Sequence, residues 1–448
     1  MIRLLALLAI GCEGPTPAAG PQSRPVDGAG GPPTWHQDVA PIVVARCAGC
    51  HNDSGFTFAL DDYAAAQAMA GAMAGAAADR RMPPWLAEDT DTCAPPLPWK
   101  HDRRLTDAEI ATLQAWAAAG APEGDAASAA PLDPVVPLAL EGVSATVEPL
   151  APFTTEGEAD EFICFTLDPQ LDADVWLTGV EVVPDNEAVV HHALVFTDPD
   201  GESLDVAGAD GAYPCFGGPG IGNTGLVAAW APGAPPMELP ADAGMPITAG
   251  SRLVMQVHYH PSGAVAAPDR TALRLRYTTA APAHEAGLAL IGNAGSRAEG
   301  LLPGPNDRGR VEFRVPAGVA DHTEEMEFRL PRAYPDLHIW TVGTHAHYLG
   351  TDLRFGVRAP DGAETCLVET PRWDFNWQGG YDYDGTFDEL PVVKGGDTLT
   401  LHCAYDNTLD NPGVAAALAD AGLDAPIDVY LGEETLDEMC IGVLGYLL

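Results

Sequence analysis

Leu253-Val254-Met255-Gln256-Val257-His258-Tyr259-His260 combines β-branched, aromatic and long side chains without a glycine or proline. Extended, it places Met255, Val257 and Tyr259 on one face and Gln256, His258 and His260 on the other. An apolar face backed by a polar one is the pattern of a half-buried strand. Further runs of this kind are Asp174–Val183, Thr271–Thr278, Val311–Val315 and Thr398–Tyr405, with Gly and Pro between them at short intervals. Sandwiches, rather than alternating α/β units, are the expectation. About 300 residues carry the pattern, and ordinary domain size divides them into 145–280 and 281–448, with a seam near Ala280-Ala281-Pro282.

The N-terminal part has a different texture. Residues 1–11 read as an export signal: Met1-Ile2-Arg3, then an apolar run from Leu4 to Ile10 too short to span a bilayer. Ala9-Ile10-Gly11-Cys12 is similar to a bacterial lipobox, which makes Cys12 the candidate lipidated residue and a periplasmic or outer-membrane-anchored lipoprotein the expectation. Residues 12–34 are a Gly- and Pro-rich tether. Residues 35–125 read as an all-α domain. In it Thr106-Asp107-Ala108-Glu109 is a capping box, followed by Ile110, Leu113 and Trp116 on one face and by Gly120 as a stop. Residues 126–144 form a linker containing Pro131, Pro134 and Pro137.

The 448 residues carry 22 Lys and Arg against 64 Asp and Glu, a formal net charge of −42. Such a surface repels nucleic acid and anionic membranes, so membrane contact is expected only through the lipid. Charged residues make up 19% and hydrophobic ones 46%, which is the balance of a folded chain. Nine cysteines suit an oxidising compartment. Setting aside Cys12, Cys47 and Cys50 leaves Cys93, Cys164, Cys215, Cys366, Cys403 and Cys440, whose spacing does not fix their pairing.

Cys47-Ala48-Gly49-Cys50-His51 reads as a covalent haem site, with two thioether positions and His51 as iron ligand. Met82, in Met82-Pro83-Pro84-Trp85, is the candidate second axial ligand, and a thioether there raises the potential. Met69 and Met73 fall in an Ala-rich helical stretch and read as packing. Residues 35–125 resemble a small class I cytochrome c, with the Met-Pro-Pro-Trp loop as its axial-methionine region.

Four further segments carry metal-ligand chemistry: His191-His192, the run ending in His258-Tyr259-His260, His345-Ala346-His347, and Asp437-Glu438-Met439-Cys440. Imidazole suits several ions, but a thioether selects Cu(I). On a strand His345 and His347 project together, whereas the adjacent His191 and His192 diverge. One copper on both needs an irregular backbone or a particular choice of ring nitrogen.

These segments, in this order and spacing, resemble the copper type II, ascorbate-dependent monooxygenases over residues 145–448. The family includes dopamine β-monooxygenase and peptidylglycine α-hydroxylating monooxygenase. The resemblance implies two β-sandwich domains of jelly-roll type, each with one copper. It implies His191, His192 and His258 at an electron-transfer copper, and His345, His347 and Met439 at an oxygen-binding, hydroxylating copper. It also implies a Cys403–Cys440 disulfide and places Gln256 near the first copper, while His260 competes with His258 on geometry alone. The peptidylglycine branch holds a peptide carboxylate with an arginine and a tyrosine where this chain has Gly343 and Val443, so a peptide C-terminus is a poor substrate. Trp373-Asp374-Phe375-Asn376-Trp377-Gln378 resembles a segment of bacterial members and reads as core aromatics at strand spacing, with a substrate-pocket role as the alternative.

The expectation is therefore a multidomain chain, an all-α cytochrome c-like domain followed by two all-β sandwiches, carrying haem c and two copper ions. Its expected activity is hydroxylation of a C–H bond in a small organic substrate with O₂. Electrons would come from ascorbate or a redox protein, the attached haem included. The alternative is a copper and haem electron-transfer or binding protein without hydroxylase activity.

Overall fold

The computed structural model describes residues 31–52, 58–132, 139–155, 160–259, 268–292, 300–432, 434 and 436–448. The export signal, Cys12 and His260 lie outside the described residues. The chain divides into two compact units, Met1–Pro83 with Arg104–Val136, and Pro84–Arg103 with Pro137–Leu448.

The first unit is helical: Ala40–Arg46, Tyr63–Ala78 and Asp107–Ala118, preceded by a π-helical turn at Trp35–Val39. Thr106 caps the third helix reciprocally with Glu109, satisfying amide groups at the helix start, and Gly120 leaves it at φ 83°. Trp35, Ile42, Val43, Ile110, Leu113 and Trp116 form its core, with Met69 and Met73 packed against it. Among the described residues, no helix of either unit is long and apolar enough to cross a membrane.

The second unit is mostly β-sheet, consistent with sandwich architecture. A five-stranded sheet runs Ala212–Pro214, Glu161–Leu167, Arg252–Tyr259, Val190–Asp198, Leu226–Trp230. A four-stranded sheet runs His322–Arg329, Thr398–Tyr405, Gly350–Arg358, Glu364–Thr370. A third, ten-stranded sheet takes strands from both 145–280 and 281–448. It crosses the seam by parallel pairing of Ala243–Ile247 with His284–Gly292. One hydrophobic core spans these sheets, including Phe165, Leu177, Val195, Met255, Leu273, Trp340, Phe355 and Leu444. Strand bounds follow the sequence closely at Val175–Val183, Ala272–Thr278 and Thr398–Tyr405. The run Val311–Val315 pairs only at Arg314–Val315, because Val311 is exposed.

Pro84–Arg103, within the span 35–125 assigned by sequence to one helical domain, packs with the β unit instead. Trp99 stacks on Tyr383 (centroids 4.9 Å apart, 12° between planes) and bridges it by backbone pairing. Trp85 meets Tyr381 edge-on at 5.1 Å, and the Leu86 N–H donates to the Tyr381 hydroxyl at 3.2 Å. Thr90 and Thr92 donate to the buried carboxylate of Glu369. A disulfide joins Cys93 to Cys366. Cys164–Cys215 and Cys403–Cys440 are the other two disulfides among the described residues.

Candidate metal centres

His258 lies on the central Arg252–Tyr259 strand, with His192 directly opposite on one neighbouring strand and Phe162 directly opposite on the other. The pairing register shifts between Val190 and His192, so His191 is an extra residue in the ladder. Such a bulge re-aims side chains, which is how two adjacent histidines come to converge rather than diverge. The ligand atoms of His191, His192 and His258 lie within 4.8 Å of one another. The convergent atoms are Nδ1 in each case: His191 to His192 is 3.1 Å and His192 to His258 is 3.3 Å. Both devices named from sequence, irregular backbone and choice of nitrogen, operate together.

Burial holds the His192 imidazole well below its ordinary range, with the fields of His258 and His191 adding to the effect. A neutral imidazole is the form that binds a metal. Phe162 stacks on His258 at 4.2 Å and 8°, fixing the ring plane. Gln256 is buried below the cluster and donates to the Gly218 carbonyl at 3.3 Å and the Cys215 sulfur at 3.6 Å. It therefore braces the loop tied by Cys164–Cys215.

The second set forms where the Leu337–His345 strand ends. His345 opposes Ile441 in the antiparallel ladder, and carrying that register on by two residues brings Met439 opposite His347. His347 is past the strand end, because Glu438 captures the backbone N–H groups of both His347 and Leu349. Met439 is fixed by its neighbours: its carbonyl accepts from the Tyr405 hydroxyl at 2.7 Å, and Cys440 beside it is bonded to Cys403.

Here the ring nitrogens are used the other way round. His345 Nδ1 donates to Gln378 Oε1 at 2.6 Å, and His347 Nδ1 donates to the Asp437 carbonyl at 2.9 Å. Each bond fixes a tautomer whose Nε2 lone pair is left for a metal. Burial pushes the His345 imidazole down to about 3 and the His347 imidazole to about 4, so both are neutral near neutrality. Burial raises the Glu438 carboxyl to about 8, against the pull of the backbone N–H groups it accepts.

The two sets lie within electrostatic reach, since His345 and His347 act on His192 and His258 acts on His347. Phe375 stands beside both, its ring 5.4 Å from His191, 5.9 Å from His347 and 6.5 Å from His345. Residues Phe375–Trp377 form a single 3₁₀ turn capped by the Asp374 carboxylate, not a strand. Phe375 and Gln378 thus belong to the site, where the sequence alone read that segment as core. Gly343 opposes Val443 in the ladder, and a Cβ there would come within 3.0 Å of the Gly379 carbonyl oxygen.

In the helical unit Cys47 caps the C-terminal end of the Ala40–Arg46 helix and Cys50 follows in the next turn, and neither is in a disulfide. Burial raises the Cys47 thiol to about 12. His51 Nδ1 faces the Phe58 carbonyl at 3.0 Å, which leaves Nε2 for an axial bond.

The sequence is 26% identical over 284 residues to rat dopamine beta-hydroxylase, covering 59% of this chain and 39% of that protein. It is 27% identical over 278 residues to the bovine enzyme, covering 59% and 40%. It is 26% identical over 282 residues to the chicken DBH-like monooxygenase protein 1, covering 60% and 41%. The chain is a distant relative of dopamine beta-hydroxylase. The match spans about two fifths of the length of these relatives. No family model matches. Likeness to solved structures is slight: the major capsid protein P2 of bacteriophage PM2 gives a TM-score of 0.28 at 10% identity, covering 68% of this chain and 96% of that one.

Proposed function

We propose that this chain is a copper-dependent monooxygenase that hydroxylates a C–H bond of a small organic substrate. The reaction consumes the substrate, O₂, two electrons and two protons, and yields the alcohol and water. The observation that carries the proposal is the pair of unlike histidine sets, three Nδ1 atoms converging at one and, at the other, two imidazoles whose Nε2 atoms are left free, toward which the strand register carries Met439. Soft and borderline ligands in these combinations suit copper, and the thioether favours its reduced state.

His191, His192 and His258 would hold the electron-transfer ion; His345, His347 and Met439 would hold the one that meets O₂. Bound copper supplies the one-electron redox steps and the reduction of O₂. Gln378 and the Asp437 carbonyl hold the imidazoles of the second set at fixed orientation. Trp373, whose indole N–H donates to the His347 carbonyl at 3.0 Å, and Phe375 keep apolar surface against that set and limit water there. With Gly343 and Val443 at the positions of the arginine and tyrosine, a clamp of that kind for a peptide carboxylate is left out of the reading.

The proposal extends to a c-type haem held by Cys47, Cys50, His51 and Met82 as an electron donor beside ascorbate, and to export with a lipid on Cys12. Haem extraction assays and the mass of the mature N-terminus test those parts. The central test is metal analysis, followed by reduction without oxygen and addition of ¹⁸O₂ with a metabolite pool. Two copper ions per chain and a product carrying one ¹⁸O are expected. Copper bound at both sites with no oxygen uptake for any substrate would leave the electron-transfer reading instead.

A further inference from the structure

Asp160 directly precedes the Glu161–Leu167 strand, two residues before Phe162. Alternation therefore puts Asp160 and Phe162 on one side of that strand, the side that faces His258. Phe162 takes the ring face of His258, and Asp160 takes its edge, with Oδ2 3.5 Å from Nε2. His258 Nε2 is fully buried and has no hydrogen-bond partner among the described residues. Its Nδ1 points the other way, at His192 and the centre of the cluster.

We propose that Asp160 is a positioning residue for the three-histidine centre. It accepts the Nε2–H of His258 and so keeps Nδ1 as the metal-binding nitrogen. The inference rests on the copper reading above. When Nδ1 holds an ion, the proton of the neutral ring must sit on Nε2, where it needs an acceptor, and a buried donor without one is costly. The carboxylate reaches it by closing 3.5 Å to an ordinary hydrogen-bond length of about 2.8 Å. A metal-bound histidine whose second nitrogen meets a carboxylate is a more basic and better oriented ligand, and loss of such an acceptor lowers metal affinity about 10–100-fold. Gln378 and the Asp437 carbonyl do the equivalent for the second set with neutral acceptors. The first centre is thus the one with an anion behind a ligand, which favours its oxidised ion over its reduced one.

The test uses the full-length protein, with copper affinity at each centre measured by competition against a chelator. Asp160→Asn keeps the volume and removes the charge; Asp160→Ala removes the acceptor. Both are expected to weaken copper at His191, His192 and His258 by about 10–100-fold. Binding at His345, His347 and Met439 should not change. In the Cu(I) form, which is diamagnetic, ¹⁵N spectra should find the His258 proton on Nε2, with its resonance moved in Asp160→Asn. Wild-type affinity in both variants, equal weakening of both centres, or a proton on Nδ1 of His258 would each overturn the assignment. A wild-type protein that binds no copper at the first centre would instead overturn the copper reading itself.

Discussion

The Phe375 ring lies nearly parallel to that of His191, 20° between planes and 5.4 Å between centroids. The same ring approaches Tyr348 at 4.5 Å and His347 at 5.9 Å, so one side chain contacts both histidine sets. Phe375→Ala should leave six potential ligands in place yet open the space between the sets to water. Turnover is expected to fall at least tenfold with copper content unchanged, and stability to fall by about 1–2 kcal/mol, less than for a fully buried phenylalanine. Unchanged turnover in the folded variant would remove Phe375 from the working site.

Gln378→Leu takes away the acceptor of His345 Nδ1 while keeping a side chain of similar length. Copper at the second set should bind about 10–100-fold more weakly, with the first set unaffected. Chelator competition reads both, and Gln378→Glu, which restores an acceptor, should recover most of the loss.

Met439→Ala removes the thioether and nothing from the first set. Hydroxylation should be lost while one copper ion remains on His191, His192 and His258. Metal analysis of the variant decides between that outcome and loss of both ions.

Acid should destabilise the metal-free protein in a particular window. His345 and His347 sit near 3 and 4, with His192 also depressed, against 6.5 for an ordinary imidazole. Between those values the unfolded chain binds more protons, so stability rises with pH up to about 6.5 and is lost as pH falls. Glu438 works in the opposite sense: held near 8 against 4.5, it favours folding below 4.5 and loses that contribution as pH climbs toward 8. Three imidazoles outweigh one carboxyl below pH 6.5, and the carboxyl acts alone above it. Urea midpoints measured from pH 4 to pH 8 should therefore peak near 6.5; a steady rise through pH 8 would contradict this balance.

Cys93→Ser cuts the covalent tie between the 84–103 segment and the Glu364–Thr370 strand. A loss of about 2–4 kcal/mol is expected, read by melting without reductant. By the same argument a chain starting near Leu140 loses Trp85 and Trp99 from Tyr381 and Tyr383 and leaves Cys366 unpaired. A separately produced β unit should keep residues 84–103.

The candidate ligand segments are legible because imidazole and thioether chemistry is written in side-chain identity. Their convergence is less so. Nothing in Val190-His191-His192 marks His191 as an extra ladder residue; the shift shows only against the partner strand. The alternation His345-Ala346-His347 reads as strand, yet Glu438, distant in sequence, draws His347 out of the ladder. Gln378 follows directly on a 3₁₀ turn, in irregular backbone that has no periodicity for a pattern to reveal. Pro84–Arg103 lacks periodicity too, and its partners Cys366, Tyr381 and Tyr383 lie far along the chain.

The Cys93–Cys366 bond also orders the protein's biogenesis. Its two halves are 273 residues apart, so at usual synthesis rates Cys93 waits roughly 15–55 s for its partner to be made. Throughout that interval it is an unpaired thiol, with Cys47 and Cys50 already made on the same nascent chain. An oxidant acting early finds Cys47, Cys50 and Cys93 with no native partner for Cys93 among them, and Cys164 and Cys215 emerge before Cys366 does. Correct maturation then needs Cys47 and Cys50 to be capped, or kept reduced, until the C-terminal third has emerged. A host that oxidises thiols quickly should yield scrambled protein, and a slower one should yield the native pairing.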